Sequence, residues 1–284
     1  MNRYSGRDFT FRELDQIRSL IKQNPEFNRM RLSKEVCKML QWFKPDGQLK
    51  DMSCRVAMLR MQKNGIIDLP PATRAKPPLK KIKFTSDTDP QNPVACSVDQ
   101  LPQLCLKMVT KATSGLWNEY IARYHYIGYT PLPGAQLRYF IFAGKQIVAL
   151  TGFGASAWQI ASRDQFIGWT HDQRKKNLNL IINNARFLIL PWVKSKNLAS
   201  KILSLTAHRL PDDWEKRYNV RPVLMESFVE KNRFIGTCYK AANWQNVGKT
   251  KGRGKLGPPG KISVPIKDIW IYPLVKKFRE LLKN

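Results

Sequence analysis

The chain is poor in acid. Its 284 residues carry 21 Asp plus Glu against 49 Lys plus Arg, a formal net charge of +28. Its own carboxylates cannot neutralise such a surface, so a polyanion, by default nucleic acid, is the expected partner. Cysteine is scarce as well. Cys37, Cys54, Cys96, Cys105 and Cys238 are scattered, odd in number and form no C-x-x-C pair, which argues against a disulfide framework or a cysteine zinc site and fits a reducing, cytoplasmic setting. The three histidines, His125, His171 and His208, have no metal-ligand spacing, and no metal site is expected. No run reaches the roughly 20 apolar residues of a membrane span. The start of the chain has no apolar signal core, and no long basic amphipathic helix marks a lipid surface, so membrane is not an expected partner. No internal repeat is visible. What is present is 43% hydrophobic residues, enough for a sizeable core in one large domain or a small one followed by a larger one; the second is expected.

Residues 1–70 read as a helical unit. Thr10-Phe-Arg-Glu13 is a capping-box pattern, followed by Phe11, Leu14, Ile17 and Ile21 at helical spacing. Ser33 is a candidate cap for a second helix through Val36, Cys37 and Leu40. After the turn-like Pro45-Asp46-Gly47, a third helix would bury Cys54, Ala57, Met58 and Met61. Asn64-Gly65 then leads into Ile66-Ile67-Asp68-Leu69-Pro70, a short apolar strand, and together these suggest a winged helix whose third helix reads DNA. Lys50, Arg55, Arg60 and Lys63 supply its cations. Units of this kind also serve as protein-interaction modules.

Residues 71–100, with Pro71, Pro77, Pro78, Pro90 and Pro93 among basic residues that include Lys80 and Lys81, read as an extended linker able to follow a phosphate backbone. From about residue 101 to 284 the pattern is α/β: strands over 137–142 and 146–153 joined by Ala143-Gly144-Lys145, a helix over 174–184, a strand over 185–190, a helix opening at Ser195 or Asn197, a strand over 221–229, a short helix over 234–242 and a last strand from Trp244.

That order resembles the GNAT acyltransferase fold. Lys194-Ser195-Lys196-Asn197-Leu198-Ala199 is similar to the family's pyrophosphate loop, Q/R-x-x-G-x-G/A, with Lys194 in place of Gln or Arg, Asn197 in place of the first glycine and Ala199 matching. In that family, helix N-terminal N–H groups hold the acetyl-CoA phosphates. Asn232, Tyr239 and Trp244 are spaced like its Asn, Tyr and aromatic signature, which implies Tyr239 as a general acid toward the departing CoA thiolate. The expectation is a mixed α/β domain of GNAT type after the winged-helix-like unit.

A wider resemblance covers nearly the whole chain. Residues 124–129 (YHYIGY), 167–169 (IGW), 183–192 (NNARFLILPW), 233–244 (RFIGTCYKAANW) and 252–254 (GRG) resemble the DruA-type proteins of the Druantia anti-phage system, whose central domain also occurs fused to transposases. The resemblance implies phage-defence or mobile-element biology, DNA, and other proteins of the same system as partners; it assigns no reaction.

Read as chemistry, Asp164, Glu226 and Glu230 lie near strand ends, and a trio of acids can hold Mg²⁺ for phosphodiester cleavage or strand transfer. In so basic a chain the same acids also suit arginine partners such as Arg186 or Arg233. His125, set among aromatics, reads as a packing histidine or a general base. The last signal is the stretch 248–261, where Lys249, Lys251, Arg253, Lys255 and Lys261 are threaded through glycines, a composition that lets backbone lie against phosphates while cations neutralise them.

Overall fold

The computed structural model describes residues 2–73, 82–252 and 262–284, in two compact units, Met1–Lys80 and Lys81–Asn284. In the first, an antiparallel hairpin of β1 (Asn2–Tyr4) and β2 (Arg7–Phe9) precedes α1 (Phe11–Gln23), α2 (Arg29–Met39) and α3 (Asp51–Lys63). The capping box forms as the sequence predicts: Thr10 Oγ1 accepts from Glu13 N at 3.2 Å, and the Glu13 carboxylate accepts from Thr10 N at 2.8 Å. The predicted stripe Cys54, Ala57, Met58 and Met61 is buried against Leu14, Ile17, Leu32, Val36 and Cys37.

Two expectations for this unit fail. Ser33 does not cap α2; it lies inside the helix and donates to Met30 O, while Asn28 caps, its Oδ1 accepting from Met30 N and Arg31 N. The run at 66–69 is extended but joins no ladder. Ile67 is buried as a plug, and arginines take the carbonyls to either side, Arg18 Nε that of Ile66 and Arg29 Nε that of Pro70. The connection between α2 and α3, closed by a Phe43–Leu49 bridge, is also longer than the three or four residues of a helix-turn-helix turn. What the described residues show is three helices with a hairpin at their start.

The second unit is built on seven strands: β3 (Leu104–Met108), β4 (Gln136–Ala143), β5 (Gln146–Ala155), β6 (Ile181–Ile189), β7 (Leu224–Glu230), β8 (Gln245–Lys249) and β9 (Lys267–Pro273). Their spatial order is β3-β4-β5-β6-β7-β9-β8. All neighbours are antiparallel except β6 and β7, whose crossover is α7 (Leu198–Tyr218), as a parallel pair requires. Also present are α4 (Ser114–Tyr124), α5 (Ala161–Ile167), α6 (His171–Asn177), α8 (Thr237–Ala241) and α9 (Phe278–Lys283). The expected succession of strand, basic loop, helix, strand and short helix is β6, residues 190–197, α7, β7 and α8. The helix predicted over 174–184 is shorter: α6 ends at Asn177, and β6 begins at Ile181, where Ile181 and Ile182 are fully buried and β-branched pairs favour the sheet.

Residues 82–100 are not a free tether. Their polar groups close on α4, where the buried Glu119 carboxylate accepts from Thr85 N, from Thr85 Oγ1 at 3.0 Å and from Thr88 Oγ1 at 2.7 Å. Tyr120 and Tyr124 donate to the carbonyls of Asp87 and Thr88. Further on, Val94 lies beside Val193 in a parallel bridge. The prolines set an extended backbone, and Glu119 gives it a place to dock. No described helix is long and apolar enough to cross a membrane, and all five cysteines are free.

Candidate functional site

The site follows from one irregularity in β6. The register against β5 shifts between Gly152↔Arg186 and Phe153↔Asn184, which leaves Ala185 as an extra residue. A bulge of this kind bends and twists its strand. On its other side β6 pairs with β7 only from Ile181↔Leu224 to Asn184↔Ser227; beyond the bulge the two strands part.

Tyr239 of α8 fills the root of the parting. Its hydroxyl donates to Asn184 Oδ1 at 3.1 Å and accepts from Ser227 Oγ at 2.9 Å, and Asn184 Nδ2 passes the chain on to Thr151 Oγ1 at 2.9 Å. Burial pushes the phenol above its usual range, so it is a protonated, fully engaged group. Phe187, Trp244 and Trp270 pack round its ring at 5.1 to 6.4 Å between centroids. Gly236, at φ +75°, permits this arrangement, because a Cβ there would stand 2.5 Å from the Trp270 ring. Trp244, expected as part of the signature, is thus in the cluster; Asn232 is exposed in the turn after β7.

The mouth of the parting is basic and aromatic. His125, buried, accepts from Ile127 N through Nδ1 and stacks on Tyr126 at 4.9 Å. Tyr126 meets Phe234 edge-on at 5.3 Å, with the Arg233 guanidinium 5.0 Å from its centroid. Phe234 and Ile235 are 47% and 80% exposed. Arg186 is buried; it donates to Thr130 Oγ1 and Ala185 O, and no described carboxylate forms an ion pair with it. Burial and the charges of Arg186 and Lys267 hold His125 well below its ordinary value, at about 4. Lys231, just past the end of β7, lies against Lys249 at the end of β8; the contact and its charge lower the Lys231 pKa, an effect that Asp268 partly offsets.

The candidate acids lie elsewhere in the sheet and are committed to arginine. Glu226 is fully buried: Oε1 accepts from Ser156 Oγ at 2.8 Å and Ala157 N at 3.1 Å, and Oε2 from Arg163 Nη1 at 2.9 Å. Asp164 accepts from Arg163, from Arg174 Nη1 at 2.9 Å and from Trp169 Nε1 at 3.1 Å. For Glu226 and Asp164 the shared partner is Arg163 and not Arg186 or Arg233; for Glu230 it is Arg233, as expected, at 3.7 Å. Two carboxylates and two guanidiniums balance, every carboxylate oxygen has a donor, and no described group of three His, Cys, Asp or Glu is arranged to hold a metal ion. The donor set of Glu226 and Asp164 therefore does not fit Mg²⁺.

Nor does the loop before α7 fit a pyrophosphate. Lys194 N donates to Val94 O at 2.7 Å, and the carbonyls of Trp192 and Lys196 accept from Val94 N and Val98 N, so residues 94–98 lie along the loop. Asn197 takes φ +64°, as a glycine there would, but the side chains of Lys194 and Asn197 are exposed and Ala199 half-buried. Among the expected nucleic-acid contacts, Arg60, Lys63, Lys249 and Lys251 are exposed, Lys50 is half-buried, and Arg55 is tied to Asp51 at 3.4 Å. Lys80, Lys81, Arg253 and Lys255 lie outside the described residues. Sequence reasoning missed Arg163, Arg174, Lys231 and Lys267; the first two were legible only as basic residues near Asp164.

Two consequences can be measured. Glu226→Gln removes one of the two carboxylates that meet the fully buried Arg163, leaving Asp164 as its charge partner, and should destabilise the fold by about 3 kcal/mol in urea unfolding. Because folded His125 resists protonation until about pH 4 while the unfolded chain takes the proton near 6.5, stability should fall as pH drops from 6.5 to 4, by at most about 1.4 kcal/mol per unit; His125→Gln should flatten that window.

Among solved structures, the chain is similar to aminoglycoside acetyltransferase AAC(6')-Ib in complex with coenzyme A (12% identity, 63% of this chain and 98% of that one, TM-score 0.41). It is also similar to an N-acetyltransferase from Staphylococcus aureus Mu50 (9%, 61% and 98%, 0.38) and a probable acetyltransferase from Staphylococcus epidermidis ATCC 12228 (9%, 61% and 100%, 0.40). No curated protein matches the sequence. The profile of the family described as Druantia protein DruA matches residues 60–259, which include the bulge, Tyr239 and the aromatic mouth, and the chain belongs to that family.

Proposed function

We propose that this protein is a DNA-binding component of a Druantia-type anti-phage defence system. The observation that carries the reading is the placement of charge: Glu226, Asp164 and Glu119 are turned inward to arginine or hydroxyl partners, while Lys231 and Arg233 in the turn after β7 and Lys249 and Lys251 at the end of β8 stand exposed. Cations placed so attract a phosphate backbone, and release of its counterions makes binding salt-dependent. The winged-helix part of the reading rests on the exposed Arg60 and Lys63 of α3 alone. Other proteins of the same system are the further partners that family membership suggests. The reading expects binding and no hydrolysis, since Glu226 and Asp164 serve the fold.

Acyl transfer is the second reading, favoured by the protonated Tyr239 at the parting of β6 and β7. Against it stand the residues that cover the loop at 192–196 and the rings that fill the parting.

Gel shifts of purified protein on labelled duplex and single-stranded DNA, with Mg²⁺ present, test the first reading. The affinity should fall on the order of 10³-fold between 50 and 200 mM salt, as for about six phosphate contacts, with the DNA left intact; absence of binding at low salt would refute it. Calorimetric titration with acetyl-CoA tests the second: no binding heat is expected, and micromolar binding that is lost in Tyr239→Phe would replace the first reading with the second.

A further inference from the structure

Phe234 and Ile235 pose a problem of chemistry. Two large apolar side chains, 47% and 80% exposed, stand in a turn directly after Lys231 and Arg233, in a unit where only Phe84, Tyr126 and Trp158 are exposed among the other described aromatics. A purely solvated basic turn has no use for them. Tyr126 supports Phe234 edge-on at 5.3 Å and is itself held by His125 stacked at 4.9 Å, so the Phe234 ring is braced from behind. Arg233, whose guanidinium lies 5.0 Å from the Tyr126 centroid, adds a second planar surface beside it.

Around this braced ring cations outnumber carboxylates: Glu230 meets Arg233 at 3.7 Å and Asp268 acts on Lys231. Lys231, whose N–H donates to Ile266 O at 3.3 Å, and Lys249, in register with Asp268, flank the start of β9 and form no ion pair among the described residues. Arg186, 8% exposed, has a hydroxyl and a carbonyl as partners but no described carboxylate. Lys267, near His125, lies in register opposite Glu230. Duplex DNA presents phosphates to such cations but keeps its base faces stacked; a half-exposed aromatic ring among cations matches unpaired bases on a phosphate backbone.

We infer that the surface at the end of β7, from the mouth of the parted strands to the start of β9, binds a single strand of nucleic acid, with a base stacked on Phe234 and the neighbouring phosphates met by Lys231 and Lys249. The inference rests on the DNA-binding reading and narrows it to strandedness and to named residues. Phe234 is a binding residue; Tyr126 and His125 position it.

Fluorescence anisotropy with labelled 20-mers of oligo-dT, of oligo-rU and of mixed duplex, each across a salt series, tests it. Phe234→Ala should weaken the single strand roughly tenfold while duplex affinity holds within about twofold; Phe234→Trp should restore it, since any broad ring stacks. The double variant Lys231→Ala, Lys249→Ala should lower affinity for every probe and reduce the salt slope by about two. Circular dichroism melts of each variant confirm that it is folded. The dT and rU probes distinguish a DNA strand from an RNA strand. If Phe234→Ala binds oligo-dT and oligo-rU as the parent does, the stacking site is overturned while DNA binding stands; if the parent binds no probe at low salt, both fall.

Discussion

Everything at the candidate site depends on the extra residue at Ala185. A regular β6 would pair with β7 along its whole length and leave no place for Tyr239. With the bulge, pairing stops at Asn184↔Ser227, and the two side chains at that last pair become the anchors for the tyrosine hydroxyl. Backbone irregularity has been converted into a side-chain hydrogen-bond chain, in which the hydroxyls of Tyr239, Ser227 and Thr151 all have partners. The aromatic rings then close the space the hydrogen bonds do not fill.

A second constraint is the cost of burying charge. Glu226 sits in the middle of a central strand at 0% exposure, which is tolerable only because Arg163 and the donors of residues 156 and 157 meet it. Those residues belong to the long excursion between β5 and β6, so the ion pair also ties that excursion to the sheet. With Glu226 and Glu119 buried, those two carboxylates do not screen the surface lysines.

Much of the architecture was legible in the sequence, because it was written in local signals. The Thr10 capping box, the α3 stripe, the β4–β5 hairpin at Gly144 and the order of elements after residue 180 all follow from spacing a few residues wide. What was not legible was decided by partners far along the chain. The run at 66–69 has strand composition, but it pairs with no strand among the described residues, and arginines from α1 and α2 take the carbonyls of Ile66 and Pro70. The prolines of 71–100 announce extension and cannot announce that Glu119, some thirty residues away, will hold Thr85 and Thr88. Asp164 and Glu226 are legible as acids near strand ends; their shared partner Arg163 is not, because pairing at 63 residues' separation leaves no periodic trace.

The docking of residues 85–98 changes where the chain can be divided. Composition places the natural seam near residue 100, yet a unit begun there would leave the carboxylate of Glu119 without its threonine donors and strip residues 192–196 of the segment hydrogen-bonded beside them. The seam that respects the hydrogen bonds lies before residue 82. Any recombination that exchanged the helical unit for another module, by experiment or by evolution, would have to carry the whole threonine-bearing stretch along with the sheet, as though it were the sheet's own first element.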